Sequence, residues 1–221
     1  MWLLSTSGQT DGVTTAARPY HHGELRPALL EQGLSLARAG GPSAVQLRDA
    51  ARRVGVSHNA GYRHFADRDA FLDEVASRAV AELADTMEAA LARVPQGLPA
   101  AARAAARLEA VGSAYLEFAL AEPGLFRTAF ATRRAPEAPS SDHVSRGRQG
   151  RDPYEILIDA IDGLAAAGLL SDGRRPDSEI VAWSAVHGLA TLLLDGPLRG
   201  SPPTAVTAMW ARVSDAVLRG L

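Results

Sequence analysis

Arg48, Ser57, His58, Asn59, Tyr62, His64 and Arg68 crowd hydrogen-bonding side chains into one short stretch, AVQLRDAARRVGVSHNAGYRHFADRDAFL, over residues 44–72. Arg suits the paired acceptors on a guanine edge, and Asn suits adenine. Ser, Tyr, His and Arg also donate to phosphate oxygens, contacts that set register without reading sequence. An ordinary helical core needs no such concentration of donors. Other chemistry is sparse. Without cysteine there is no disulfide framework, thiolate metal site or thiol nucleophile. No Gly-x-Ser-x-Gly elbow, His-Glu-x-x-His or phosphate-cradling Gly loop is present. Ser184 and His187 share a helical turn, but nothing marks a third triad member. The His21-His22-Gly23-Glu24 cluster invites a metal reading, yet adjacent histidines on extended chain diverge. No enzyme, cofactor or metal site is expected.

Placing these donors on one surface requires two short helices and a tight turn. The spacing predicts a first helix over about 22–38, with Leu25, Leu29, Leu30, Leu34 and Leu36 as its apolar stripe. Gly40-Gly41-Pro42 ends it. A second helix is expected over about 45–54, with Val45, Ala50, Ala51 and Val54 inward and Arg48 and Arg52 outward. Gly55-Val56-Ser57 makes the turn, and Ser57 caps a third helix over about 58–64. Asp67 caps a fourth that runs from near Arg68 to about Arg93.

About four side chains at the N-terminal end of a recognition helix reach base edges. Here they are His58, Asn59, Ala60 and Gly61, with Ala60 suited to a thymine methyl. Gln46 is a further phosphate or base candidate. Phe65 reads as core beneath the fourth helix, Arg53 and Arg63 as solvated, and Arg52 stays open. Gly61 costs its helix about 0.5–1 kcal/mol relative to Ala, so the third helix is expected to be loose without DNA.

Pro95, Gly97 and Pro99 precede an Ala-rich helix over about 100–121, and Pro123-Gly124 opens a short one. Residues 132–152 are Pro-, Ser- and Arg-rich and read as a mobile loop. Helices resume over about 153–168, 176–195 and 202–219. The fold expected is all-α with about nine helices: a disordered arm over 1–17, a helix-turn-helix domain over 18–68 and a larger helical domain over 69–221. Ile180, Val181, Trp183, Val186, Leu189 and Leu192 spread apolar surface around most of the 176–195 helix. The last helix carries Val206, Met209, Trp210, Val213 and Val217. Together they suggest a subunit interface, hence a homodimer.

The net charge of −2 on 221 residues does not point to nucleic acid, but its distribution does. Residues 18–68 hold eight Arg against four acids, a net of +4, and four of the six His. Residues 69–221 hold 15 Arg against 20 acids, a net of −5. A basic small domain thus sits on an acidic larger one. The apolar start of MWLLSTSGQTDGVTTAARP is too short for a signal-peptide core or a membrane span. A cytoplasmic location without membrane contact is expected.

The order of amphipathic helix, Arg-bearing helix, Gly-Val-Ser turn, short helix, Tyr62-Arg63-His64-Phe65 and Asp67-Arg68 closely resembles the TetR/AcrR family of transcriptional regulators. The resemblance covers residues 19–75, including Tyr20-His21-His22-Gly23, and continues more loosely to the C-terminus. Trp183-Ser-Ala-Val-His187-Gly188 resembles the Trp…His-Gly (WHG) signature of one class of C-terminal domains in that family. The resemblance implies that Arg48 reaches a base and that Ser57, Tyr62, His64 and Arg68 hold phosphates. It also implies that the larger domain binds a small molecule and dimerises. Tyr115, Phe118, Phe126, Phe130, Trp183 and His187 are the candidate lining, which favours a hydrophobic or aromatic effector.

The function expected is a ligand-responsive regulator, most simply a repressor, binding a palindromic operator in double-stranded DNA as a dimer. The alternative is a small-molecule sequestering protein with a vestigial helix-turn-helix.

Overall fold

Residues 24–131 and 145–220 are described by the computed structural model. The N-terminal arm, Tyr20 to Gly23 with its histidine pair, and the first part of the 132–152 loop lie outside the described residues. The order is α1 (Leu25–Ala44), α2 (Leu47–Val54), α3 (His58–Gly61), α4 (Arg68–Leu91), α5 (Ala100–Ala121), α6 (Pro123–Ala129), α7 (Pro153–Ala166), α8 (Ser178–Leu194) and α9 (Pro203–Gly220). A single 3-10 turn, Asp172–Arg174, lies between α7 and α8, and there is no strand among the described residues. No helix among them is long and apolar enough to cross a membrane.

The breakers act where the sequence places them. Gly40 and Gly41 leave helical geometry inside α1, Gly41 at φ 68°, so the regular helix stops there. Gly55 ends α2 at φ 81°, a left-handed conformation that favours glycine. Its N–H bonds to the Arg52 carbonyl, and the Val56 N–H bonds to Ala51 at 3.0 Å. Asp67 caps α4 by accepting from the Ala70 N–H at 2.8 Å.

One continuous core joins the two parts. In the small head, Leu29, Leu30, Val45, Leu47, Ala50 and Phe71 are fully or almost fully buried. Phe65 is 3% exposed and meets Phe71 edge-on at 4.9 Å between ring centres, which fixes it as packing. α1 and α4 cross closely at Gly33, where a Cβ would press 2.8 Å from Phe71 Cζ.

The head meets the body at α1 and α6. The Gly124 backbone sits directly on the end of regular α1: a Cβ there would overlap the Ala37 carbonyl oxygen and stand 2.7 Å from that of Arg38. Arg38 ties the same junction, reaching Glu82 of α4 at 2.6 Å and Glu122 before α6 at 3.5 Å. Arg127 of α6 grips Asp195 at the end of α8 at 2.7 Å.

Residues 145–152 are held against the body by ion pairs. Arg148 reaches Asp85 and Arg151 reaches Glu88, both on α4. Asp152 then opens α7 with a reciprocal capping box with Glu155. The Glu88 carboxylate is only 6% exposed, so Arg151 supplies the counter-charge its burial requires.

The last two helices differ in how they are covered. α8 leaves Ile180 (48%), Val181 (53%) and Leu192 (43%) exposed. No residue of α9 is fully buried. Trp210 anchors it over Gly112 of α5, its indole N–H reaching Glu109 at 2.6 Å and Ser113 at 2.8 Å.

Because Gly124 meets backbone and not a flexible side chain, Gly124→Ala is expected to cost about 1–3 kcal/mol. The check is chemical unfolding, where the midpoint should fall with little change in slope. An unchanged midpoint would mean that the α1–α6 junction gives way freely.

Candidate nucleic-acid interface and aromatic cluster

α2, the Gly55 turn and α3 bring most of the predicted donors to one end of the molecule. Arg48 and Asn59 are exposed and make no hydrogen bond or ion pair among the described residues. Ser57 caps α3 by accepting from the Ala60 N–H at 3.3 Å, and its residue remains exposed. His58 and Tyr62 lie one turn apart with ring centres 4.6 Å apart, and Tyr62 is 41% exposed. His64 and Ala60 are half-buried.

Three predicted positions carry structural duties. The Gln46 amide donates to the Ser43 carbonyl at 3.1 Å, beside the start of α2. The Arg68 guanidinium donates to the Pro42 carbonyl at 2.8 Å and pairs with Asp69 at 3.2 Å. It thereby ties the start of α4 to the kinked last turn of α1. Gly61 is buried, and a Cβ there would stand 3.2 Å from Leu47 Cδ1. This close approach seats α3 on α2, and α3 ends at Gly61. The chain then bends, with the His64 N–H bonding back to the Gly61 carbonyl at 3.0 Å, and Phe65 enters the core.

Charge on this surface follows the same division. Arg52 is partly neutralised by Asp49 at 3.3 Å, and Arg53 reaches the Ser35 hydroxyl at 3.2 Å. Arg48 and Arg63 remain free of acids among the described residues. Exposed cations beside the exposed first residues of α3 suit a phosphate backbone, with those residues left to meet base edges.

In the body, five of the six predicted lining residues come together. Tyr115 contacts Phe126, Phe130 and His187 with ring centres 5.6, 6.1 and 6.3 Å away. Phe130 also meets His187 at 4.9 Å and Trp183 at 6.4 Å. Phe118 is buried but joins no ring pair there. Tyr154, in the first turn of α7, extends the cluster to Trp183 at 5.6 Å. Sequence reading missed it, although an aromatic residue two positions past a helix cap was visible.

The cluster holds one polar chain. The Trp183 indole N–H donates to the Tyr115 oxygen at 3.4 Å, and the Tyr115 hydroxyl lies 2.7 Å from His187 Nδ1. Burial pushes the Tyr115 phenol well above its ordinary range, with the Trp183 bond opposing. Burial pushes the His187 imidazole down. Both shifts favour a neutral phenol hydrogen-bonded to a neutral imidazole. No group of acidic or histidine side chains among the described residues is arranged to hold a metal.

Two family models match the chain. One, described as bacterial regulatory proteins of the tetR family, matches residues 29–75. The other, a tetracyclin repressor-like C-terminal domain, matches residues 108–217 and so includes Trp183 to Gly188. Among solved structures, a protein of unknown function from Rhodococcus sp. RHA1 is 34% identical over 93% of this chain and 99% of its own, with a TM-score of 0.71. A protein described as a tetR family transcription regulator, from Shewanella sp. PV-4, is 20% identical over 87% of this chain and 97% of its own, with a TM-score of 0.60. The TetR family transcriptional regulator PfmR from Thermus thermophilus is 20% identical over 87% and 98%, with a TM-score of 0.51. The two more distant likenesses concern the fold. A comparison with curated proteins returned no match.

The lowered His187 value has a defined consequence for stability. The unfolded ring takes up its proton near pH 6.5, while the folded ring resists it. Stability is full above that pH and declines as pH falls through the window below it. His187→Gln keeps an acceptor for Tyr115 but cannot titrate, so it should flatten this decline between about pH 6.5 and 5. Thermal unfolding across that range tests it, and an unaltered slope would remove His187 as the source.

Proposed function

The chain belongs to the TetR family of bacterial regulatory proteins, and from that premise we propose a ligand-responsive repressor that grips a palindromic operator as a homodimer. DNA-binding transcriptional regulation follows from the family; the operator, the ligand response and the sign are our reading. The observation that carries it is the exposed tip of α3 beside cations without an acidic partner among the described residues, Arg48 above all.

Roles divide by position. Arg48, His58, Asn59 and Ala60 read base edges, with Gln46 at their margin. Ser57, Tyr62, His64 and Arg68 hold phosphate, Arg68 doing so while it braces the kinked last turn of α1. Gly61 serves the site by letting α3 lie close to Leu47. Dimerisation through α8 and α9 is supported by the exposed Ile180, Val181 and Leu192. A two-fold pair of heads requires a two-fold DNA site.

The effector is a hydrophobic or aromatic molecule bound at the cluster of Tyr115, Phe126, Phe130, Trp183 and His187, with Phe118 in its wall. Support comes from the mixed burial: Tyr115 and Phe126 are 4% exposed, whereas Phe130, Trp183 and His187 are half-buried. An effector changes DNA affinity only by preferring one arrangement of the heads over the other.

Selection from random duplex DNA with the purified protein tests the reading. An enriched palindrome is expected, bound with an affinity that falls steeply with salt. Arg48→Ala should lose about 1–3 kcal/mol of discrimination at one base pair per half-site. Selection without any enriched sequence would favour a sequestering protein, and unchanged discrimination would remove Arg48 from base reading.

A further inference from the structure

α4 carries four carboxylates on one side, and each meets a guanidinium from another element. Glu74 and Glu82 pair with Arg26 and Arg38 of α1. Asp85 and Glu88 pair with Arg148 and Arg151. The offsets of eight, eleven and fourteen residues from Glu74 keep all four within about a third of the circumference of a helix. The first two pairs fasten α4 to the head. The last two fasten it to residues 145–152, which lead into α7.

This segment is built for that contact. Its sequence, Ser-Arg-Gly-Arg-Gln-Gly-Arg-Asp, uses all three Arg. Arg146 forms a fork with Glu155 at 2.6 and 2.8 Å and bonds the Gly150 carbonyl at 2.6 Å, folding the segment onto the start of α7. Arg148 engages both oxygens of Asp85, its backbone N–H at 2.7 Å and its Nε at 3.1 Å. Arg151 bridges Glu88 at 2.7 Å and Asp159 of α7 at 3.1 Å, and Arg107 of α5 shares Asp159 at 2.9 Å. Gly147 lets the segment lie flat on α4, since a Cβ would stand 2.8 Å from Asp85 Oδ1 and 3.1 Å from Ala84 Cβ.

The far end of the segment leads into the helix that meets the aromatic cluster. Asp152 caps α7, and Tyr154, two residues on, packs against Trp183. Helix α7 therefore meets the cluster through Tyr154, which packs on Trp183, and meets the segment through Asp159, which bonds Arg151, itself paired with Glu88 on α4.

We propose that residues 145–152 form an ion-pair strap that sets the angle at which α4 carries the reading head, with Asp85 and Glu88 as positioning residues and α7 linking the strap to the effector cluster through Glu155, Asp159 and Tyr154. It deepens, and rests on, the reading of the chain as a ligand-responsive DNA binder. A loosened strap leaves the head in more orientations, so DNA binding must pay to order it. Because Arg148 is 87% exposed and Asp85 only partly covered, salt weakens the strap as well.

The test is a distance measurement in the full chain without DNA. The sequence has no cysteine, so Arg63→Cys on the head and Arg199→Cys on the body accept spin labels at those positions alone. Labelled chain is diluted into excess unlabelled chain, so that each distance is intramolecular. At low salt a narrow distribution is expected. Arg148→Ala and Asp85→Asn should each broaden or shift it, and high salt should do the same to the parent but little to either variant. Arg148→Ala should also weaken binding to the selected duplex on the order of tenfold. Arg148 is exposed enough that folding should survive its loss, and helical signal checks this. Parent-like distances in both folded variants would overturn the strap. Because the distances are read without DNA, a failed DNA selection counts against the functional reading and not against the strap.

Discussion

The contact between Gly124 and the carbonyls of Ala37 and Arg38 constrains everything else in the molecule. It is backbone against backbone, so it leaves no room for a side chain and little room for sliding. α1 belongs to the head, α6 to the body, and α4 runs past both. With α1 fixed on α6 by this contact and by the Arg38–Glu122 pair, and on α4 by Gly33 and by the Arg38–Glu82 pair, the head has a defined seat. Close-packed interfaces of this kind shift between discrete arrangements instead of deforming smoothly. Discrete arrangements are what an effector could act on, since a ligand shifts a balance only by binding one arrangement more tightly than the other.

The head itself shows how a small domain divides labour between stability and recognition. Leu29, Leu30, Leu47, Phe65 and Phe71 provide the apolar burial. The Gly55 turn and the Ser57 and Asp67 caps satisfy the ends of short helices that would not form alone. This leaves Arg48, His58, Asn59 and Tyr62 on the outside, where the fold asks little of them. Arg68 is the exception, since it braces Pro42 while remaining 36% exposed at the side chain.

Much of this was legible in the sequence because its signals are local. Gly40-Gly41, Gly55, Ser57, Asp67 and Pro123 punctuate the chain, and the helices begin and end beside them. The apolar stripe of α1 and the core role of Phe65 follow from helical spacing. What stayed hidden depends on distant partners. Arg148 and Asp85 lie 63 residues apart, so the strap reads in sequence only as a polar, Arg-rich stretch. Gly124 looks like part of a Pro-Gly helix start, and nothing nearby announces the carbonyls above it. Gly61 reads in sequence as a weakness in the recognition helix, whereas the structure uses its missing side chain to admit Leu47. Tyr154 has no periodic partner to mark it, and only folding brings it to Trp183.

Hydrogen exchange in the presence of a selected duplex and of a scrambled one tests most directly whether this end of the molecule is the reading surface. Added protection confined to residues 46–68, stronger with the selected duplex, is the expected result. Protection centred on α8 and α9, or equal protection by both duplexes, would contradict it.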